Sequence, residues 1–360
     1  MLRFLSRRLG YGFLVLLGVI TIVFLLFNVL PGDPARMVLG QRSDISTVEA
    51  IHKDLGLDKP IPIQYVNFLN DLSPVSFHQC TDPSHYWFLD RAKYAPFIQV
   101  SKLGGEWAMI LKKPYLRRSY QSQREVSDIL AEAFPKTFLL AVVSITFAMV
   151  VGVGIGILCA IKKNSLFDRV ALILSVFGMS LPSFFAAILI AWIFAFILAD
   201  YTGLNMFGSM YSVDDFGGGE YLDLKNLILP AFTLGIRPMA VIVELTRSSM
   251  LEVLSQDYIR TARAKGLSGN QIIWHHALRN AMNPVVTAVT GWFASLMAGA
   301  VFIEYVFDWK GIGVVIVDAL EKYDFPVIMG AVLFISVILV FINIFADILY
   351  GYLDPRIKYQ

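Results

Sequence analysis

Cysteine and charge are both scarce in this chain of 360 residues, and each scarcity excludes a class of protein. Two cysteines cannot build a disulfide framework, and Cys80 lies in a polar segment whereas Cys159 lies in an apolar run, so we do not expect them to pair. Only 16% of the residues are charged and 56% are hydrophobic, which is too apolar for a soluble domain of this length. The composition therefore indicates a membrane protein.

Sequence motifs for several chemistries are also missing. There is no Gly-x4-Gly-Lys-Ser/Thr string, so the chain has no phosphate-binding loop of that type. The apolar runs contain no histidine and no carboxylate at mid-run depth, which argues against an intramembrane protease and an ion-coupled secondary transporter. Gly152, Gly154 and Gly156 lie inside one apolar run, where they favour close helix packing over phosphate binding.

Long apolar runs dominate what the sequence does contain. The first, residues 9–30, is uncharged and long enough to cross a hydrocarbon core of about 30 Å as a helix. Arg3, Arg7 and Arg8 would suit a secretory signal, but the run is too long and no small-x-small cleavage site precedes Pro31. We expect an all-α polytopic membrane protein with six transmembrane helices, at residues 9–30, 137–161, 170–199, 227–243, 285–303 and 325–350.

The basic residues give an expected orientation, because lysine and arginine concentrate in short cytoplasmic loops. With six spans, four basic clusters fall on one side: Arg3, Arg7 and Arg8; Lys162, Lys163 and Arg169; Arg247, Arg260, Arg263, Lys265 and Arg279; Arg356 and Lys358. The opposite short loops are acidic: Asp200, Asp214, Asp215, Glu220 and Asp223; Glu304, Asp308, Asp318, Glu321 and Asp324. Both termini are therefore expected in the cytoplasm.

Three regions follow from these spans: an N-terminal helix (1–30), an extracytoplasmic segment (31–134) and a five-helix transmembrane domain (135–355). Within the segment, a capping box at Ser46 and Glu49 and a stop at Gly56 predict a short helix, and a second helix is expected from the turn at Pro60 to Leu72. Its aromatic-rich part, 73–113, favours a small folded cap over a linker. Residues 127–134 are expected to form an amphipathic helix on the membrane surface.

The polar stretch 255–284, between two apolar runs, predicts a helical hairpin. A first helix should stop at Gly266, which can adopt the left-handed conformation, and a second should start at Ser268, which forms a capping box with Gln271. In the second helix one apolar face is shared by four residues, and such a face on a solvent-exposed hairpin predicts a partner: Ile272, Ile273, His276 and Ala277.

Arg237 is the main candidate for a functional residue within a span, because a charge at that depth is costly. Pro238 beside it has no N–H and is expected to kink the helix. Two roles stay open for Arg237: contact with a carboxylate of a bound ligand, or pairing with a carboxylate on another helix.

Other polar residues have less distinctive expectations. Glu244 and Arg247 are expected to form a surface pair three residues apart, and Asn28 an interhelical hydrogen bond. Asp347 should lie at the membrane interface or pair with a basic residue. No metal site is expected. His275 and His276 are adjacent on a helix and point about 100° apart, so they do not form a chelating pair. The spacing of His78, Cys80 and His85 matches no strong zinc signature.

The hairpin resembles the one in inner-membrane permease subunits of ATP-binding-cassette importers of the dipeptide/oligopeptide/nickel family. Their motif has the form Glu-Ala-Ala-x3-Gly-x9-Ile-x-Leu-Pro. Anchored on Gly266, its outer positions fall on Arg260, Thr261 and Ala262, and on His276, Leu278 and Arg279. Arginines thus replace the glutamate and the proline, while the string YIRTARAKG ending at Gly266 resembles the peptide-permease version.

Further similarities to this family cover nearly the whole chain. They are Leu30-Pro-Gly-Asp-Pro34; Leu55 to Pro60 with Gln64 and Tyr65; Leu245 to Glu252; Glu304, Phe307, Gly311 and Gly313; Asp324 and Pro326; and Leu353 to Ile357. The main departure is 73–113, which looks like an insertion.

The resemblance implies a type I importer transmembrane domain in the bacterial inner membrane. Two homologous permease subunits would form the pathway, a solute-binding protein would deliver substrate, and two cytoplasmic ATPases would use ATP and Mg. This chain would bind no cofactor and no nucleic acid. Dipeptides or oligopeptides are the expected substrates, with nickel chelates and glutathione as alternatives.

The resemblance also assigns the ATPase-coupling role to residues of the hairpin. Ile272 and Ile273 would bury apolar area on the ATPase, and the basic side chains would set orientation against its charges. The residues implied are Tyr258, Arg260, Thr261, Ala262, Arg263, Ala264, Lys265, Gly266, Ile272, Ile273, His276, Leu278 and Arg279.

Overall fold

The computed structural model describes residues 2–28, 59–82, 85–103, 105–213 and 219–353. It divides into two compact units, which we call the bundle unit (Met1–Leu9, Ala133–Val315 and Ile338–Gln360) and the segment unit (Gly10–Glu132 and Ile316–Val337). The Leu30–Pro34 motif, the capping box at Ser46 and the stop at Gly56 lie outside the described residues.

The elements follow one another along the chain as mostly helices with two small sheets. They are α1 (Leu2–Asn28), α2 (Ile61–Leu72), β1 (Val75–Gln79), α3 (Arg91–Tyr94), β2 (Phe97–Leu103), β3 (Trp107–Lys112), α4 (Val126–Ile161), α5 (Leu166–Ser180), α6 (Ser183–Trp192), α7 (Ala199–Thr202), β4 (Tyr211–Val213), β5 (Glu220–Leu222), α8 (Lys225–Leu254), α9 (Asp257–Ala264), α10 (Gly269–Gln271), α11 (Leu278–Gly299), α12 (Val301–Phe307), α13 (Ile312–Glu321) and α14 (Phe325–Leu353). Two π-helical stretches, Ile193–Ile197 and Ile272–Ala277, follow α6 and α10.

Among the described residues, four continuous helices are long and apolar enough to cross a membrane: Ser6–Asn28, Val126–Ile161, Lys225–Leu254 and Phe325–Ile348. The two other predicted spans are bent pairs, Leu166–Ser180 with Ser183–Ile197 at 112° and Gly269–Met297 with Val301–Phe307 at 59°. Six spans result if each bent pair crosses the membrane once, so the count of six stays a prediction.

Proline explains one bend but does not divide the other helices. α5 ends at Ser180 because Leu181, which precedes Pro182, adopts an extended conformation with φ −69° and ψ 130°. By contrast α8 runs through Pro238 as one helix, so the kink expected there does not break it.

Residues 127–134 are helical as expected, but they do not form a separate helix before the second span. α4 begins at Val126 and continues through Pro135 to Ile161 as one helix of 36 residues. Val126 and Leu130 are fully buried, so this face of the helix packs against protein.

In the segment unit, β1, β2 and β3 form an antiparallel sheet in the order β1-β3-β2, so the described part of this aromatic-rich stretch is folded, as its composition favours. Leu89, Tyr94, Ala108 and Ile110 make its core. The helix expected after Pro60 is α2, which ends at Leu72 as predicted.

The sheet encloses a polar cluster. The carboxylate of Asp71 accepts hydrogen bonds from the Tyr94 hydroxyl at 2.5 Å and from Lys93 Nζ at 3.2 Å, while Lys112 Nζ donates to the Asp71 carbonyl at 2.5 Å. His78 is 1% exposed and lies 4.7 Å from the Tyr94 ring. Burial, followed by the positive charge of Lys112, lowers the pKa of His78 to about 4.

In the bundle unit, glycines bring α4 against α8, as their position in the sequence predicts. A Cβ on Gly152 would lie 2.9 Å from Ile242 Cγ2, and a Cβ on Gly156 would lie 2.5 Å from Thr246 Cβ. Gly154 faces open space. Two of the three glycines therefore serve close helix packing.

Two expectations for polar residues at helix ends have different outcomes. Asp347 of α14 pairs with Arg8 of α1 at 2.8 Å, which confirms the expected basic partner. Among the described residues Asn28 makes no hydrogen bond to another helix: its Nδ2 donates to the Phe24 carbonyl of its own helix at 2.9 Å. The Phe24 carbonyl lies one helical turn before Asn28, so the Asn28 side chain reaches it without a partner on another helix.

Candidate functional site

The first helix of the hairpin ends as its sequence predicts. Gly266 has φ +80°, and the N–H groups of Gly266 and Leu267 donate to the carbonyls of Arg263 and Ala262 at 3.0 Å and 3.3 Å. This is the Schellman arrangement, which satisfies carbonyls that a helix end otherwise leaves unpaired. Glycine serves here because other residues rarely adopt this φ.

The second helix starts with the predicted capping box. Ser268 Oγ accepts from the Gln271 N–H at 3.4 Å, and Gln271 Oε1 accepts from the Ser268 N–H at 3.1 Å. The helix then widens into the π-helical stretch Ile272–Ala277 before α11 begins. Across the hairpin, Asn280 Nδ2 donates to the Tyr258 hydroxyl at 2.8 Å. Both ends of the turn are therefore held in place.

The apolar face of the hairpin packs inside the bundle unit. Its core joins Ile157 and Ala160 of α4, Met250 of α8, and hairpin residues from both helices: Ile259, Ala262, Ile272, Ala277 and Ala281. Ile272 is 3% exposed. The expectation that Ile272 contributes newly buried area to a partner is therefore wrong, because α4 and α8 already cover it.

Two aromatic side chains of the hairpin, unlike Ile272, are exposed to solvent. Trp274 is 55% exposed and Tyr258 is 42% exposed. Of the hairpin residues singled out from the sequence for ATPase coupling, Ala262 and Ile272 are buried, and Ile273, His276 and Leu278 are half-buried. The rest are exposed: Tyr258, Arg260, Thr261, Arg263, Ala264, Lys265, Gly266 and Arg279. Sequence reasoning missed Trp274, although a large aromatic residue in a polar stretch is a detectable signal.

The exposed surface of the hairpin is basic. Arg260, Arg263, Lys265 and Arg279 are all exposed, and the acidic Asp257 pairs with Arg260 at 3.4 Å across two highly exposed side chains. An exposed pair of this kind contributes little stability. The surface thus offers aromatic area flanked by positive charge, which suits a partner with an acidic rim.

Arg237 lies on α8 and is exposed. Among the residues that the structure describes, no carboxylate pairs with it. The role of a structural ion pair within this chain therefore has no support there. Contact with substrate stays a prediction.

The predicted surface pair of Glu244 and Arg247 is wrong. Arg247 Nε and a terminal guanidinium nitrogen donate to the two carboxylate oxygens of Asp168 at 2.6 Å and 2.8 Å. Asp168 is on α5, 79 residues away in sequence, and Glu244 is exposed. A planar guanidinium favours this bidentate geometry over a contact along its own helix.

Glu304 was expected in an acidic loop, but it is a fully buried residue of α12. One of its carboxylate oxygens accepts from the Gly313 N–H at 2.6 Å, near the start of α13. A Cβ on Gly311 would lie 2.5 Å from both carboxylate oxygens. The glycines therefore make room for the carboxylate, which ties α12 to α13.

No cluster of three or more potential metal-ligating side chains occurs among the described residues. His78 is buried against Tyr94, and His85 lies 5.4 Å from the Trp107 ring. These histidines pack against aromatic rings.

Comparison with known families and proteins gives matches over the whole chain. The family model described as binding-protein-dependent transport system inner membrane component matches residues 152–359, and the N-terminal model of the same group matches residues 1–86. The dipeptide transport system permease protein of Alkalihalophilus pseudofirmus is 34% identical, and the glutathione transport system permease protein of Pectobacterium atrosepticum is 35% identical. Each alignment covers 100% of both chains.

A solved structure of the MetNI methionine ABC transporter in an inward-facing conformation has a similar fold. It aligns with a TM-score of 0.50 at 18% identity, over 63% of this chain and 96% of that one. The type I importer fold is therefore confirmed, and neither the ion-coupled transporter nor the intramembrane protease is favoured. Proteins of this family are transport permeases without catalytic activity, and the chain belongs to the family of inner membrane components of binding-protein-dependent transport systems.

Proposed function

We propose that this chain is the permease subunit of an ATP-driven importer of short peptides. It forms half of a translocation pathway with a second, homologous permease subunit, receives substrate from an extracytoplasmic solute-binding protein, and is driven by two ABC ATPases that bind ATP and Mg. Both termini and the hairpin face the cytoplasm, which is supported by the basic residues at that end. Residues 31–134 then face the solute-binding protein, and 135–355 form the transmembrane domain.

The construction of the hairpin carries this proposal. Its buried face shares a core with α4 and α8, while Trp274 and Tyr258 are exposed among basic side chains. Such a hairpin can transmit force, because a displacement of its exposed face must move the helices that share its core. A separate ATPase docked on Trp274 would therefore be coupled to the spans.

Trp274→Ala tests the docking step in the full-length chain, purified in mild detergent from its own host. Truncating an exposed aromatic anchor typically costs about 2 kcal/mol or more, so we expect about 30-fold weaker retention of the ATPase. The ATPase is identified by its Gly-x4-Gly-Lys-Ser/Thr sequence. Trp192→Ala is the matched control, because Trp192 is 50% exposed on the apolar helix α6. Equal ATPase retention in both variants would contradict the proposal.

Short peptides are the proposed substrates because relatives over the full chain are named as dipeptide, di/tripeptide and glutathione permeases. These solutes share peptide-like chemistry and a free carboxylate. Arg237 is the proposed contact for that carboxylate, since it is exposed and pairs with no described carboxylate. Nickel chelates are the remaining alternative.

Uptake by the complete importer in proteoliposomes distinguishes these substrates. A dipeptide, its C-terminally amidated form, glutathione and a nickel chelate are compared in the wild type and in Arg237→Gln. We expect Arg237→Gln to slow uptake of the free peptide by about tenfold and to leave that of the amidated peptide unchanged, because only the former can form the charge-assisted bond. Equal loss for both forms would exclude the carboxylate contact, and uptake of the nickel chelate alone would reject a peptide substrate.

A further inference from the structure

The ion pair between Asp168 and Arg247, at the hairpin end of the bundle unit, is bidentate and largely buried. The side chain of Asp168 is 2% exposed and that of Arg247 is 20% exposed. Besides both guanidinium contacts, the carboxylate accepts the Asn164 N–H at 2.9 Å, and the Asp168 N–H donates to Ser165 Oγ at 3.2 Å. The turn that precedes α5 therefore holds Asp168 in position to receive Arg247 of α8.

Stability alone does not account for a buried ion pair. Desolvating two charges is expensive, and well-packed apolar residues often stabilise a protein as well or better. What a hydrogen-bonded pair adds is one defined register between the two elements that carry it. Here the two elements are α5, which carries Asp168, and α8, which carries Arg247.

α5 lies close along α8, but it contributes few buried side chains to the bundle unit. Its buried residues are Asp168, Ser175 and Gly178, whereas most of its apolar side chains are exposed. Gly178 meets α8 at Ile236, toward the other end of α5. The core that joins the hairpin to α4 and α8 contains no residue of α5. Among the described residues, the ion pair is the one polar side-chain contact that joins α5 to α8, and it lies at the hairpin end.

We propose that the pair formed by Asp168 and Arg247 carries the movement of the hairpin from α8 into α5, and so into the bent span of α5 and α6. Arg247 lies on α8 eight positions before Ser255, where the chain enters the hairpin. Both are positioning residues that touch neither substrate nor nucleotide. This inference rests on the proposed function, in which the hairpin is driven by an ATPase.

The test measures ATP hydrolysed per peptide transported by the complete importer in proteoliposomes. Asp168→Asn and Arg247→Gln are each expected to raise this ratio about tenfold, within the range typical of coupling between sites, while hydrolysis continues. The double variant should raise it no further, because both substitutions break one interaction. Arg247→Lys should be intermediate, since lysine keeps the charge but lacks the planar fork.

Glu244→Gln is the matched control, because Glu244 lies three residues from Arg247 on the same helix and is exposed. It should keep the wild-type ratio. A purely structural role would lower the amount of assembled importer and leave the ratio unchanged in what assembles. A wild-type ratio in Asp168→Asn, Arg247→Gln or Arg247→Lys would overturn the inference, as would additive effects in the double variant. A wild-type importer without ATP-dependent uptake would instead overturn the proposed function itself.

Discussion

At the scale of single residues, the close approach of α4 and α8 depends on glycines, which have no side chain to hold the two helices apart. Gly156 leaves room for Thr246 and for the Val243 carbonyl, which would lie 2.5 Å and 2.8 Å from an added Cβ. Neither contact can be relieved by turning a flexible side chain, because one is to a Cβ and the other to backbone. The helices would have to separate.

Gly156→Ala is therefore expected to destabilise the protein by about 1–3 kcal/mol, the usual cost of overpacking. Gly154→Ala is the matched control, because Gly154 is in the same helix and has no atom within 4 Å of an added Cβ. Thermal unfolding of the detergent-solubilised chain measures both. A lower midpoint for Gly154→Ala than for Gly156→Ala would contradict this packing account.

His78 makes the stability of the small sheet depend on pH. Its pKa in the folded chain is about 4, against 6.5 when unfolded, so between these values the unfolded chain binds more protons. Stability is therefore lost as the pH falls from 6.5 toward 4, and the loss between pH 7 and 5 is about 2 kcal/mol. Asp71, Lys93 and Lys112 are the charged groups around it.

Hydrogen exchange of β1 amides in the full-length chain, corrected for the intrinsic pH dependence, measures this loss. Protection should fall from pH 7 to pH 5 in the wild type and change less in His78→Gln, which has no proton to bind. Equal losses in both proteins would assign the effect to another group.

Local signals in the sequence predicted contacts between residues that are close in sequence, but not contacts between residues far apart in sequence. Gly266 and the Ser268–Gln271 box were correct, because the partners lie within a few positions of each other. The pair of Asp168 and Arg247 spans 79 positions, and nothing local distinguishes it from the wrong pairing with Glu244. Long-range contacts of this kind need the fold.

At the scale of elements, the hairpin combines a rigid turn with a buried face. Gly266 and Gly269 lie three residues apart and both have open space around an added Cβ, but only Gly266 has a positive φ. Substitutions at the two positions should therefore have effects of opposite sign on the hairpin.

Gly266→Ala should cost about 1–2 kcal/mol because the left-handed conformation disfavours a Cβ. Gly269→Ala should stabilise the hairpin by about 0.5–1 kcal/mol, since alanine is the better helix former. Hydrogen exchange of the α9 amides, read as protection factors, measures both. The same sign for both substitutions would mean that the turn is not held at Gly266.

The apolar runs predicted which parts of the chain are long helices, because their length and hydropathy are local properties. The bends were not predicted, even though Pro182 marks one of them. α4 and α8 contain Pro135 and Pro238 without a break, so proline alone does not decide where a helix divides.

At the scale of the whole molecule, this chain is proposed to transmit the movement of the hairpin to the membrane spans, while a separate chain hydrolyses ATP. The absence of a nucleotide motif from the sequence and the family of the chain agree on this division. Sequence reasoning predicted the hairpin as the contact, but it chose Ile272, which the core of the protein covers. It could not distinguish a face that meets a partner from one that meets the rest of the chain.

A photo-activated cross-linking residue at position 274 of the full-length chain, used in native membranes, tests the central claim most directly. The account predicts one main adduct with an ATPase subunit, identified by peptides that include its Gly-x4-Gly-Lys-Ser/Thr sequence. The same cross-linker in place of Trp192, on the apolar helix α6, should not give that adduct. An ATPase adduct from both positions, or only lipid adducts from position 274, would contradict the claim that the hairpin is where the permease meets its ATPase.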